Sequence, residues 1–315
     1  MKLTSCFYNN RVICGIVTEE GIIDIPSATE RQPSHRLHSI KEILIKGSAA
    51  LDSVLEIAEN PAEIIPFDKV QWLPPIPRPN KLLALAGNYA KHLQETSGRN
   101  SLPDLQEKTA PIRPFLMPQT AVTGHQTTVH WPLYSEQVDY EIELAVIIGK
   151  TAHALSPERA QKAIVGYTIA NDISARSVSF SRRPREQTGK DFYEWLMGKW
   201  SDGFLPLGPW MVTADEIPDP QNLQMTLKVN GQTRQQASTS EMIYSVYEIV
   251  SFLSHLMTLE PGDIIATGTP HGVGAATGNY LQPGDKIDCT IEGIGTLSNS
   301  LGEKPEVLYT GVRDD

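Results

Sequence analysis

The stretch VDYEIELAVIIGK, residues 138–150, sets Asp139, Glu141 and Glu143 at alternate positions, with Val138, Tyr140, Ile142 and Leu144 between them. Read as one β-strand, it puts the three carboxylates on a single face, because successive side chains point to opposite sides. That face continues as Ala145 and Ile147, residue types that belong in an interior. Carboxylates stacked there repel each other and lose hydration, so burying them bare is costly. A bound divalent cation removes both problems. Asp172, at the end of the apolar run AIVGYTIAND, offers a third acid. Glu141, Glu143 and Asp172 form an all-oxygen set with no nearby Cys or His, which suits Mg²⁺ or Mn²⁺, or Ca²⁺, better than Zn²⁺ or Cu²⁺. An edge strand whose acids face water carries the same pattern, and taken alone it is the commoner case.

Three further stretches hold groups that could act beside such a cation. In LAGNYAKHLQET, residues 85–96, His92 and Glu95 lie three apart, so on a helix they share a face and the carboxylate can orient the imidazole as a general base. A lone pair of this kind is more often chance on a solvated helix. In GDIIATGTPHGVG, residues 262–274, Thr267, Gly268, Thr269 and Gly272 follow a strand and offer amides and hydroxyls to an anion. The stretch has neither a Gly-Lys-Ser/Thr ending nor GxGxxG spacing, and a plain tight turn fits it equally well. Arg176, four residues past Asp172, could grip a substrate carboxylate with both arms of its guanidinium. Lys199 precedes the aromatic, turn-rich WSDGFLPLGPW. Both cations also fit as surface charges.

The elements that must position these groups are mostly short strands. Residues 3–25 read as a β-meander, and 39–60 as helical, with Ile40, Ile43, Leu44, Leu51, Leu55 and Ile57 along one side. The proline-rich WLPPIPRPNK is a stiff connector, so a domain boundary is expected near residue 78. Strand-like runs then recur between Gly/Pro turns, with helical spacing only near 88–96, 157–163 and 242–257. This pattern predicts a β-rich α+β fold with an irregular mixed sheet rather than a doubly wound one. A chain of 315 residues with a net charge of −10 and no Lys/Arg run is not expected to bind nucleic acid. No run of about 18 apolar residues is present, so no membrane span is expected. The N-terminus has no continuous apolar leader, and Cys6, Cys14 and Cys289 fall in no CxxC spacing, which together predict a reduced cytoplasmic protein.

Taken in order, GNYAKHLQE, DYEIELAVIIGK, NDISAR, GKWSDGFLPLGPW, GTPHGVG and IEGIGTLSN resemble the motifs of the fumarylacetoacetate hydrolase family over roughly residues 80–300. The resemblance implies a mixed β-sandwich roll in a catalytic domain, 78–315, preceded by a small N-terminal α/β domain, 1–77. It implies a homodimer, a metal held by Glu141, Glu143 and Asp172, and a water-activating dyad of His92 and Glu95 on a lid helix. Lys199 matches the family's lysine near the metal; Arg176, Thr269 and Gly268 match substrate-contacting positions. Two features depart from many relatives near the substrate: Ser179 stands where they have glutamine, and His271 follows the Thr-Pro pair where they have alanine. The stretch SVSFSRRPREQTGKDFYEWLMGK, residues 177–199, is also longer than in compact members. The activity implied is metal-dependent hydrolysis of a C–C bond in a 1,3-dicarbonyl keto acid, such as an acylpyruvate or fumarylacetoacetate. Oxaloacetate decarboxylation or hydroxydienoate isomerisation would use the same metal and enolate, and a catalytically silent, metal-stabilised binding scaffold is the alternative outside enzymes. Segments 88–104 and 180–195 are expected to move as lids.

Overall fold

The computed structural model describes residues 1–30, 36–59, 61, 63–97, 108, 111–178 and 192–309. Its spine is the strand Ile142–Ile148, every residue of which is buried. Antiparallel neighbours flank it, Ile164–Asn171 on one side and Ile264–Ala266 on the other. An uninterrupted apolar run is what a strand covered on both faces requires. Alternate side chains feed two different cores. Leu144, Val146 and Ile148 pack with the helix Val246–Leu256 and with the second sheet. Ala145 and Ile147 pack with Ile40, Ile43, Leu44 and Val54 of the N-terminal helices.

The main sheet has twelve strands and runs without interruption into the N-terminal meander, because Lys2–Tyr8 pairs antiparallel with Leu205–Thr213. The meander is the one expected: Asn9 and Asn10 take positive φ, +46° and +61°, in the tight turn between its first two strands. A five-stranded sheet packs behind, built on Gln224–Val229, Gln232–Ser238, Lys286–Ile291, Gly295–Leu301 and Thr128–Val129. The result is the β-rich mixed α+β architecture read from the sequence. Among the described residues no helix is long and apolar enough to cross a membrane.

Two local expectations are corrected. The helix expected over 39–60 is two, Ile40–Lys46 and Ser48–Glu59, because Gly47 adopts φ +76° and its N–H closes the first helix on Ile43 and Leu44. Leu55 is consequently exposed instead of lining a buried side. The strand expected over 138–150 is also two, Gln137–Asp139 and Ile142–Ile148. The first pairs with Ser174–Arg176 in a separate two-stranded ribbon, and the second stays in the main sheet. The break falls at Tyr140–Glu141, where the site is built.

Candidate active site

At that break, side chains take over the backbone hydrogen bonds that the ladder gives up. The Glu141 N–H donates to Asn171 Oδ1 at 2.9 Å, and the Ile142 N–H donates to Gln235 Oε1 at 3.0 Å. Ile142 lies opposite Asn171 in the sheet, so Asp172 emerges next to Glu141 and donates its N–H to the Glu141 carbonyl at 2.9 Å. Glu143, two residues on, still points to the same side as Glu141. One carboxylate oxygen from each of Glu141, Glu143 and Asp172 lies within 4.8 Å of the others, and all three residues are buried. Asp139 does not join them. It accepts from Arg176 Nε at 3.0 Å and from the Gly274 and Ala275 amides at 2.6 and 2.9 Å.

Lys199, 1% exposed, lies across the group, with Nζ 2.9 Å from Glu141 Oε2 and 2.7 Å from Asp172 Oδ2. Arg176 adds a close contact to Glu141 Oε1. Burial opposes ionisation of Glu141, but the Lys199 and Arg176 charges outweigh it and hold the carboxyl down at about 2. Glu143 forms no ion pair among the described residues, and the more distant Lys199 charge is outweighed. Burial, followed by the Asp172 and Glu141 charges, pushes it well above the usual carboxylate range. Asp172 rises to about 6, with burial and Glu141 prevailing over Lys199. Glu143 Oε1 and Asp172 Oδ1 are buried without a hydrogen-bond partner. Two orphaned carboxylate oxygens beside a third acid, with mutual repulsion still unrelieved, fit a hard divalent cation.

These shifts give metal binding a pH dependence. Asp172 and Glu143 have folded pKa values above their unfolded ones, so their contribution is fully present only below about pH 4. It is lost as the pH rises through about 6 for Asp172, and through the raised value of Glu143. Glu141 has the opposite sign, contributing above its ordinary 4.5 and losing that only as the pH falls toward 2. The metal-free protein is therefore burdened at neutral pH, and a cation relieves the burden. Saturating Mn²⁺ is expected to stabilise the fold by roughly 1–3 kcal/mol more at pH 7.5 than at pH 5. Thermal unfolding with and without Mn²⁺ at the two pH values measures this, and an equal shift at both would contradict the assignment.

His92 and Glu95 lie on the helix Ala90–Ser97, with Nδ1 3.0 Å from Oε1. The pair is tied to the rest of the site, because both Glu95 oxygens accept from the Gly272 N–H at 3.0 and 2.9 Å. Gly272 has φ +101°, and a Cβ there would meet the Arg234 carbonyl oxygen at 2.4 Å, so only glycine holds this amide under the carboxylate. In the same loop the Gly268 N–H donates to Glu143 Oε2 at 2.7 Å. Gly268 thereby supports the acidic group rather than presenting its amide to a ligand. The Thr269 hydroxyl oxygen accepts from Gln235 Nε2 at 2.9 Å, which leaves its own proton available to an acceptor in the cavity.

His92, Glu141, Asp172, Arg176, Lys199 and Thr269 line one cavity of about 420 Å³. Glu143 completes the acidic floor and Glu95 backs the imidazole. The residues expected from the sequence to form a site are brought together, with the Arg176 guanidinium engaged by Asp139 and Glu141. Leu85, Leu93 and Trp195 add apolar wall. His271 does not line the cavity. Ser179, residues 98–104 and residues 180–191 lie outside the described residues, and with them most of the two expected lids.

Gln235 and Asn88 were not picked out in the sequence. Gln235, buried, spends its amide on Ile142, Thr269 and Pro270, joining the loop to the broken strand. Its signal was present: in QTRQQAS it alternates with Ala237 at an inward position of a strand, where a polar side chain needs a partner. Asn88 spans Tyr244 and Thr267 and fixes the loop from the other side.

The fold and this acidic centre define a known class of protein. Residues 81–301 match the model of the fumarylacetoacetate hydrolase C-terminal domain, and the chain belongs to the fumarylacetoacetate hydrolase family. It is 37% identical to the oxaloacetate tautomerase YisK of Bacillus subtilis, over 96% of this chain and 100% of that one. A solved 2-hydroxyhepta-2,4-diene-1,7-dioate isomerase from Mycobacterium marinum superposes with a TM-score of 0.71 at 30% identity, covering 97% of this chain and 100% of the other. The maleylpyruvate hydrolase of Sphingobium sp. SYK-6, solved with manganese and pyruvate, gives 0.75 at 28% identity, over 97% and 100%.

Proposed function

We propose that this protein is a divalent-metal-dependent enzyme acting on the enol and enolate of a small 2-oxo acid, and that its reaction is keto–enol tautomerisation of oxaloacetate. The observation that carries this is a carboxylate-held histidine lining the same cavity as the acidic triad and a buried lysine. The similarity to an oxaloacetate tautomerase over nearly the whole chain supports the choice of reaction.

Glu141, Glu143 and Asp172 would hold Mg²⁺ or Mn²⁺, which when bound supplies Lewis-acid stabilisation of negative charge on the 2-oxo group. The chain's own groups do the rest. Glu95 accepts the Nδ1 proton of His92, so Nε2 keeps its lone pair and takes a proton from C3 of the keto form. The imidazolium then returns a proton to the enolate oxygen, giving the enol, so one proton moves and no water is consumed. The Lys199 ammonium adds fixed positive charge where the oxyanion develops. Leu85, Leu93 and Trp195 keep the reacting carbon away from bulk water.

A second reading is hydrolysis of the C–C bond of an acylpyruvate-type acid, with His92 deprotonating water instead of C3. Similarity to a maleylpyruvate hydrolase favours it, and the isomerase relative supports hydroxydienoate chemistry at the same enolate. A silent scaffold would need none of His92, Glu95 and Lys199. The homodimer belongs to the same proposal, supported by exposed Phe192, Tyr193 and Trp200. So does a reducing, cytoplasmic setting, which three buried free cysteines suit. The test follows enol-oxaloacetate by absorbance and C3 deuterium uptake by NMR, with Mn²⁺-loaded protein. Acceleration by about 10²-fold or more, the usual value of a positioned base, is expected. No acceleration, alongside cleavage of an acylpyruvate to pyruvate, would hand the site to hydrolysis.

A further inference from the structure

We propose that Arg113 recognises the second, distal carboxylate of a dicarboxylic 2-oxo acid and so makes this site selective for dicarboxylates. The inference rests on the enolate function proposed above and adds a residue and a charge requirement to it. Arg113 lines the cavity together with Leu85, Ala86, His92, Leu93 and Trp195. Its backbone is fixed by the sheet: Pro114 pairs with Leu85, and the Ala86 N–H donates to the Arg113 carbonyl at 3.0 Å. The guanidinium is therefore carried on a strand end and not on a free loop.

Charge bookkeeping then singles it out. Arg176 and Lys199, the other two side chains of fixed positive charge that line the cavity, are spent on Asp139, Glu141 and Asp172. Four carboxylates, those of Asp139, Glu141, Glu143 and Asp172, stand against these two cations, and a divalent ion cancels the remaining two negative charges. The floor is then neutral and has nothing left for a second carboxylate on the ligand. That carboxylate would otherwise face Leu85, Leu93 and Trp195, where an unpaired charge is costly. Among the described residues, Arg113 is the arginine or lysine on this cavity with no carboxylate partner. A guanidinium fork matches a carboxylate with two parallel hydrogen bonds.

Calorimetry with Mn²⁺-loaded protein tests this without relying on turnover. The probes are oxaloacetate, 2-oxobutyrate, in which a methyl replaces the distal carboxylate, and oxalate, which fills only the metal end. Wild type is expected to bind oxaloacetate more tightly than 2-oxobutyrate. Arg113→Gln should weaken oxaloacetate by about 10–30-fold, as loss of a charge-assisted pair does, and leave 2-oxobutyrate, oxalate and Mn²⁺ unchanged. Arg113→Lys should recover part of the loss, since it restores charge without the fork. Unchanged oxaloacetate affinity in Arg113→Gln, or equal weakening of both oxo acids, would overturn the assignment while leaving the enolate function standing. Failure of oxalate and both oxo acids to bind the wild type would remove that function, and this assignment with it.

Discussion

Replacing His92 by alanine is expected to cut kcat for oxaloacetate tautomerisation by about 10²–10⁴, the usual contribution of a positioned general base. The imidazole is the group of the cavity best placed for the work, because its other nitrogen is committed to Glu95 and Glu95 is itself held by Gly272. Mn²⁺ and oxalate should bind the variant as they bind wild type, since no metal-facing oxygen comes from this helix. Glu95→Gln should be milder. The amide oxygen can still accept the Gly272 N–H and keep the loop in place, but the negative charge that fixes the Nδ1 proton is gone. Decarboxylation of oxaloacetate needs neither a base at C3 nor an attacking hydroxide, so any such side activity should survive in both variants. Equal tautomerisation and equal acylpyruvate cleavage by His92→Ala and wild type would rule out both proton-transfer mechanisms.

The site was legible in the sequence because its members announce themselves over short spans. Glu141 and Glu143 are two apart, His92 and Glu95 three apart, and the glycines of the 267–274 loop are closely spaced. What could not be read were decisions made by distant partners. Nothing local says that the strand breaks at Tyr140; Gln235, more than ninety residues away, makes the break tolerable by taking the Ile142 amide. Asp139 shares the alternation of the two glutamates, yet the 174–176 ribbon captures it for Arg176. The pattern alone would have made it a third stacked ligand. Gly47 was visible as a residue, but whether a glycine inside a helical pattern ends the helix depends on the φ it adopts, and here +76° ends it. The same limit applies to Lys199. Its burial and two ion pairs come from the fold; locally the sequence offers only a lysine before an aromatic segment, and its place near a metal is implied by the family resemblance alone.

Lys199→Met separates the structural and chemical parts of that lysine's role. Without metal, the ammonium neutralises Glu141 and Asp172 at 2.9 and 2.7 Å inside the protein. Removing one member of a buried ion pair leaves the other charges uncompensated and typically costs about 3–5 kcal/mol. Protonation of the freed acids limits the loss. Asp172, already above its unfolded value, would rise further, and Glu141 would lose the charge that holds it down at about 2, so the deficit should be larger at pH 8 than at pH 5. Mn²⁺ should then rescue the fold, because a divalent ion among the same oxygens replaces the missing charge, and the thermal-unfolding gap to wild type should close at saturation. Activity should not return with it. An ammonium aimed at a developing oxyanion acts in the transition state, and its loss should still lower kcat by about 10²–10³ in the metal-saturated variant. Full activity of metal-saturated Lys199→Met would make the lysine a counter-ion for the empty site and nothing more. A metal-free variant as stable as wild type at pH 8 would mean that the three buried carboxylates are already protonated there, and the case for a cation between them would fall with it.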